Sequence, residues 1–105
     1  MGFGNMQKML KQVQKIQAEM ARVQEELGNK TVEASAGGGA VQVVANCHQE
    51  LVKVKVDPAA LDPEDPELLE DLILTAVNEV LKKARETATQ EMEKITGDLK
   101  IPGVF

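Results

Sequence analysis

The chain has 105 residues, a formal net charge of −5, a single cysteine, and aromatics limited to Phe3 and Phe105. One cysteine excludes an internal disulfide and points to a reducing compartment; no apolar run approaches the ~20 residues that a membrane span needs. The length fits one domain over residues 1–105, small and poor in large ring anchors, so it gains from self-association.

Met6, Met9, Val13, Ile16, Met20, Val23 and Leu27 alternate in steps of three and four, an a/d seam over three heptads. The spacing predicts a long N-terminal helix capped by Asn5, preceded by an irregular tail at residues 1–5, and stopped at Gly28-Asn29. Such a rod is too long for a small globule to cover. Its seam (Met9, Val13, Ile16, Met20, Val23, Leu27) therefore divides between intramolecular packing and a partner. Five bases here (Lys8, Lys11, Lys15, Arg22, Lys30) stand against three acids, a local charge of +2, and residues 1–18 carry no acid. Lys8, Lys11, Lys15 and Arg22 form a stripe opposite the seam.

Three short strands follow. Thr31–Ala36 is poor in bulk, Gly37-Gly38-Gly39 turns the chain, and Val41–Ala45 returns it. In Leu51–Val56, Val52, Val54 and Val56 face one way and Lys53 and Lys55 the other. Two successive hairpins give an antiparallel meander whose open edge a second copy of the sheet would protect. Cys47 and His48 fall on the second turn with no second histidine and no orienting group. That argues against a nucleophile pair and falls short of a zinc ligand set.

Residues 57–81 hold eight acids and no base. Asp57-Pro58, Asp62-Pro63 and Asp65-Pro66 punctuate the chain, and Asp65 caps a helix that starts at Pro66. Without the glycine and terminal glutamate of a calcium loop, the acidic block reads as capping and dipole compensation, and no metal or cofactor is expected. Apolar spacing from Leu69 to Ile95 predicts a long C-terminal helical segment, continuous or broken near residues 86–90, stopped by Gly97, with residues 98–105 as an irregular tail. Lys82, Lys83 and Arg85 form its basic cluster. If the two helices leave the sheet side by side, Leu27 lies near Pro66 and Lys8 beside Arg85, so both basic clusters share one arm.

The predicted fold is α+β: long N-terminal helix, three-stranded antiparallel meander, long C-terminal helical segment. No constellation supports an enzyme. Basic helical arms with few arginines and almost no stacking aromatics suit phosphate contacts on duplex DNA, with little reading of base edges.

Over almost its full length the sequence resembles the YbaB/EbfC family of nucleoid-associated DNA-binding proteins. The matching stretches are Gly2-Phe3-Gly4-Asn5-Met6, residues 32–39, residues 52–58, Asp62-Pro63-Glu64-Asp65, residues 68–73, Ala76-Val77-Asn78 and Pro102-Gly103-Val104-Phe105. The chain departs where the family often has Asn-Gly, carrying Asn46-Cys47 instead. The resemblance implies a tweezer-like homodimer whose projecting helices engage DNA with weak sequence preference, in a cytoplasmic, nucleoid-associated protein. Here those helices contain Lys8, Lys11, Lys15, Lys82, Lys83 and Arg85. Two alternatives use the same elements: a prefoldin-like chaperone subunit gripping unfolded chains, and an adaptor that contacts replication or recombination proteins through the acidic block or the C-terminal tail.

Overall fold

The computed structural model describes residues 3–97, and the side chains of residues 5–95. Helix α1 (Phe3–Leu27) leads into strands β1 (Thr31–Ala36), β2 (Val41–Asn46) and β3 (Leu51–Val56), a single 3₁₀ turn at Pro58–Ala60, and helix α2 (Pro66–Gly97). The sheet has order β1-β2-β3, both pairs antiparallel. The expected α+β architecture is therefore present. α2 runs unbroken through residues 86–90, which settles the choice between a continuous and a broken helix. Helix α1 already includes Asn5, so Asn5 is not its cap. The predicted C-terminal tail, 98–105, lies outside the described residues.

The acidic block does the local work expected of it. Asp65 Oδ1 accepts from the Leu68 backbone N–H at 3.3 Å, while Asp57 and Asp62 carboxylates accept from Ala59 and Glu64 N–H at 3.0 and 2.9 Å. These bonds satisfy donors that a helix or turn start leaves open. Among the described residues, no cluster of three or more metal-ligating side chains forms. At the first turn, Gly37, Gly38 and Gly39 all have positive φ (66°, 66° and 96°), a region that L side chains avoid.

One face of the sheet packs on α2. Ala34, Val41, Val43 and Ala45 meet Ala76 and Val80 in one buried cluster. Val41, Val43 and Val80 are fully buried, each stabilising the fold by about 1.5–3 kcal/mol. The alanines let the helix backbone approach the pleat closely. A six-residue strand spans about 20 Å, so a helix needs about thirteen residues to cross it. α2 crosses in this way, from Leu72 beside Gly37 at one end of the sheet past Leu81 to Lys83, which bonds to Glu33 of β1. The helix lies mainly over β1 and β2, with Val56 of β3 at the margin of the cluster. On β3, Val54 faces the α2 side, opposite Val43, yet remains 48% exposed, and Val52 is 58% exposed.

Past the sheet, α2 meets α1. Val23, Leu27, Cys47 and Ile95 form a second buried cluster, flanked by Ile16, Met20, Ala88 and Met92. The remainder of α1 projects, and the molecule extends 76 × 24 × 16 Å.

Candidate nucleic-acid interface

The seam of α1 changes character along its length. Val23 and Leu27 are buried and Ile16 and Met20 half-buried against α2, whereas Met9 and Val13, with Met6 and Leu10, stay exposed. The intramolecular half of the expected division is thus present. Lys8, Lys11 and Lys15 are exposed on the projecting half. At 1.5 Å per residue Lys8 stands about 28 Å beyond Leu27. Arg22 differs: its guanidinium is paired with Glu26 at 2.9 Å within the helix, so it is already neutralised.

The base of this arm is anchored by the second hairpin turn. The Cys47 backbone N–H donates to the carbonyls of both Leu27 and Lys30 at 3.0 Å. The His48 ring Nε2–H donates to the Gln24 carbonyl at 2.6 Å, satisfying an acceptor in the last turn of α1. Asn46 holds the turn, its Oδ1 accepting from His48 and Glu50 N–H and its Nδ2 donating to Glu50. A side chain at Gly28 would meet the His48 ring at 2.9 Å. Cys47 needs none of a glycine's conformational freedom, because the left-handed residue of this turn is Gln49, at φ 62°. Burial pushes the Cys47 thiol above its ordinary pKa, so it stays protonated and unreactive. The Cys47–His48 pair serves as an arm mount.

An ion-pair network adds to the mount. Glu91 of α2 accepts from Lys30 at 2.9 Å and from Lys94 at 3.1 Å. The hydrogen bond from Lys30, then that from Lys94, holds the Glu91 carboxyl below its ordinary value of 4.5. The same pairing raises Lys30 above 10.5. A depressed carboxylate contributes stability above its unfolded pKa and loses it as pH falls through the lower folded value. The raised lysine fails only as pH rises through its folded value. The melting-temperature gap between the wild type and Glu91→Gln is therefore expected to hold from neutrality to about pH 4.5 and to close on further acidification. Thermal melts across that range check it; a gap that persists at pH 2 would mean the pair is not its source.

The second basic cluster is not on the arm. Lys82, Lys83 and Arg85 lie on the stretch of α2 that crosses the sheet, and the Lys83 ammonium donates to the Glu33 carbonyl on β1 at 3.0 Å. Leu27 packs near Ala88 and Met92, not near Pro66. The expectation that Lys8 and Arg85 share one arm is corrected. The reason is the sheet's apolar face, which needs a cover, and residues 69–84 supply it before α2 is free to project. Lys82 and Arg85 are exposed beside Thr75, Asn78 and Glu79, facing away from the sheet. Sequence reasoning missed the arm mount, because nothing local marks His48 as the partner of a carbonyl twenty-four residues earlier.

Comparison with known proteins gives a consistent answer. The family described as YbaB/EbfC DNA-binding matches residues 1–99. A "nucleoid-associated protein" of Pelotomaculum thermopropionicum is 64% identical over 102 residues, covering 97% of each chain. One from Moorella thermoacetica is 65% identical over 103 residues, covering 98% of this chain and 99% of its own. The crystal structure of an uncharacterized protein from Helicobacter pylori superimposes with a TM-score of 0.72 at 24% identity, over 91% of this chain and 98% of that one. That likeness speaks to the fold alone.

Proposed function

The chain belongs to the YbaB/EbfC DNA-binding family, and from that premise we propose a nucleoid-associated homodimer that binds duplex DNA through the projecting half of α1. The observation that carries this reading is the arm itself: Lys8, Lys11 and Lys15 exposed on a helix clear of the body, with no acid among residues 1–18. Lysines on such an arm act as point charges on phosphates, and affinity comes from released counterions, not from base reading. Of the two arginines, Arg22 is engaged by Glu26, leaving Arg85 as the single guanidinium able to fork onto guanine. Sequence preference is accordingly weak. The process is binding without catalysis.

Dimerisation is supported by the strip that α2 leaves uncovered. Leu51, Val52 and Val54 are 45–58% exposed on β3, an edge strand continuous with the buried core. A second copy laid on this strip would cover both the apolar side chains and the open edge.

The test is fluorescence anisotropy of a labelled duplex of ~30 base pairs at several salt concentrations. Three lysines per arm, six per dimer, give an expected log–log slope of about −5, a loss of roughly a thousandfold between ~50 and ~200 mM salt. No binding at the lowest salt would reassign the arm to a protein partner, for which Met6, Met9, Leu10 and Val13 offer the exposed surface.

A further inference from the structure

The sheet face turned away from α2 carries lysines that the arm does not use. Register places Glu33, Val44 and Lys53 in one row across the three strands and Ser35, Gln42 and Lys55 in the next. A shallow hollow of about 390 Å³ opens over these rows, and Lys83 lines it too. Lys83 comes from α2, on the opposite side of the sheet. Its bond to the Glu33 carbonyl draws it to the open edge of β1, which brings the third ammonium to the same surface. Three lysines thus face one glutamate there; Asp57 borders the adjoining hollow beside Lys55. Lys53 and Lys55 form no ion pair among the described residues. Of the apolar residues that line it, Ala34 and Val43 are buried and Val44 is half-buried, so little apolar surface is offered to a protein partner.

We propose that this outer sheet face is a second contact surface for nucleic-acid phosphates, separate from the arm, so that one particle holds two duplex segments. The proposal rests on the DNA-binding reading above and adds a site to it. Residues two apart on a strand are about 7 Å apart, so Lys53 and Lys55 span about two phosphate steps of 3.4 Å along one DNA strand. The bulge at Val44/Ala45 increases local twist beside Lys53, and a twisted pleat presents a curved surface to a rod-shaped ligand. With lysines alone, the contact carries charge recognition and no base specificity. An apolar strip for the partner subunit lies on the other side of β3, leaving this face open in the dimer.

The experiment pairs two variants with two readouts. A labelled 30-base-pair duplex is titrated by anisotropy, and the same labelled duplex is captured on beads that carry an unlabelled duplex, which requires bridging. Lys53→Glu with Lys55→Glu is expected to leave single-duplex affinity within about twofold and to cut bridging roughly tenfold, the effect of two phosphate contacts between ~50 and ~200 mM salt. Lys53→Gln with Lys55→Gln, which adds no new charge, should lose bridging in the same direction with an unchanged melting temperature. Unchanged bridging in the glutamate variant overturns the proposal while leaving the arm reading intact. If arm variants leave single-duplex binding untouched and the sheet variant abolishes it, the arm reading fails and the sheet face stands as the DNA site.

Discussion

Replacing Lys8, Lys11 and Lys15 together by glutamine is expected to lower duplex affinity at least a hundredfold at ~100 mM salt and to flatten the salt dependence. Each phosphate contact contributes about 0.9 to the log–log slope, so removing three from each arm of a dimer takes away up to about 5. Any residual slope would come from Lys82 and Arg85. Folding should be untouched, because these lysines are exposed on the part of α1 that α2 does not reach; substitutions of that kind stay within about 0.5 kcal/mol. The sharper contrast is Arg22. It carries the same formal charge on the same helix, yet its guanidinium is bonded to Glu26 at 2.9 Å, and Arg22→Gln is expected to change affinity less than twofold. A composition argument would rank the four bases alike; geometry separates them. If Arg22→Gln cost as much as one of the lysine changes, the pairing must open on DNA and the arm must extend to its base. If the triple variant bound as the wild type does, while Lys82→Gln with Arg85→Gln did not, the DNA would lie along α2.

Much of the fold was legible because its periods are clean. The heptad steps from Met6 to Leu27 and the alternation from Leu51 to Val56 mark elements whose ends the structure reproduces at Leu27, Leu51 and Val56. The punctuation by Asp65-Pro66 and by Gly97 bounds α2 as expected. Periodicity does not say which apolar helix covers which face. Residues 69–84 have the same spacing whether they pack on a sheet or on another helix, so spacing alone puts Lys83 on an arm, whereas it sits at the edge of β1. Strand length held a usable clue, since a helix must spend about thirteen residues crossing six-residue strands before it can project. The arm's lysines were legible because no acid lies near them in sequence. The arm mount was not. The bond from His48 to Gln24 and the bridge from Lys30 to Glu91 join residues far apart in the chain, and no local pattern encodes either.

The second large effect concerns assembly. Val54→Asp is expected to convert the proposed dimer to monomer, weakening its dissociation constant by three orders of magnitude or more. Val54 lies opposite Val43 in the sheet register, on the side of the apolar core, yet α2 stops short of it and leaves it 48% exposed. In a monomer an aspartate there remains hydrated and costs little. In a dimer that buries the β3 strip, the carboxylate would lose its water with no cation opposite, a penalty of several kcal/mol, and each 1.4 kcal/mol is tenfold in dissociation. Sedimentation equilibrium of the wild type and Val54→Asp measures the constant directly. Lys55→Asp on the same strand is the control. Its side chain points to the other face, so the same new carboxylate should leave the dimer intact. Loss of assembly in both variants would point to edge-to-edge strand pairing, which charge on either face disturbs, instead of face packing. DNA binding completes the argument, because a monomer carries one arm and half the contacts. The salt slope of Val54→Asp should fall from about −5 to about −2.7, tying the apolar strip on β3 to the charge on α1 although the two surfaces never touch.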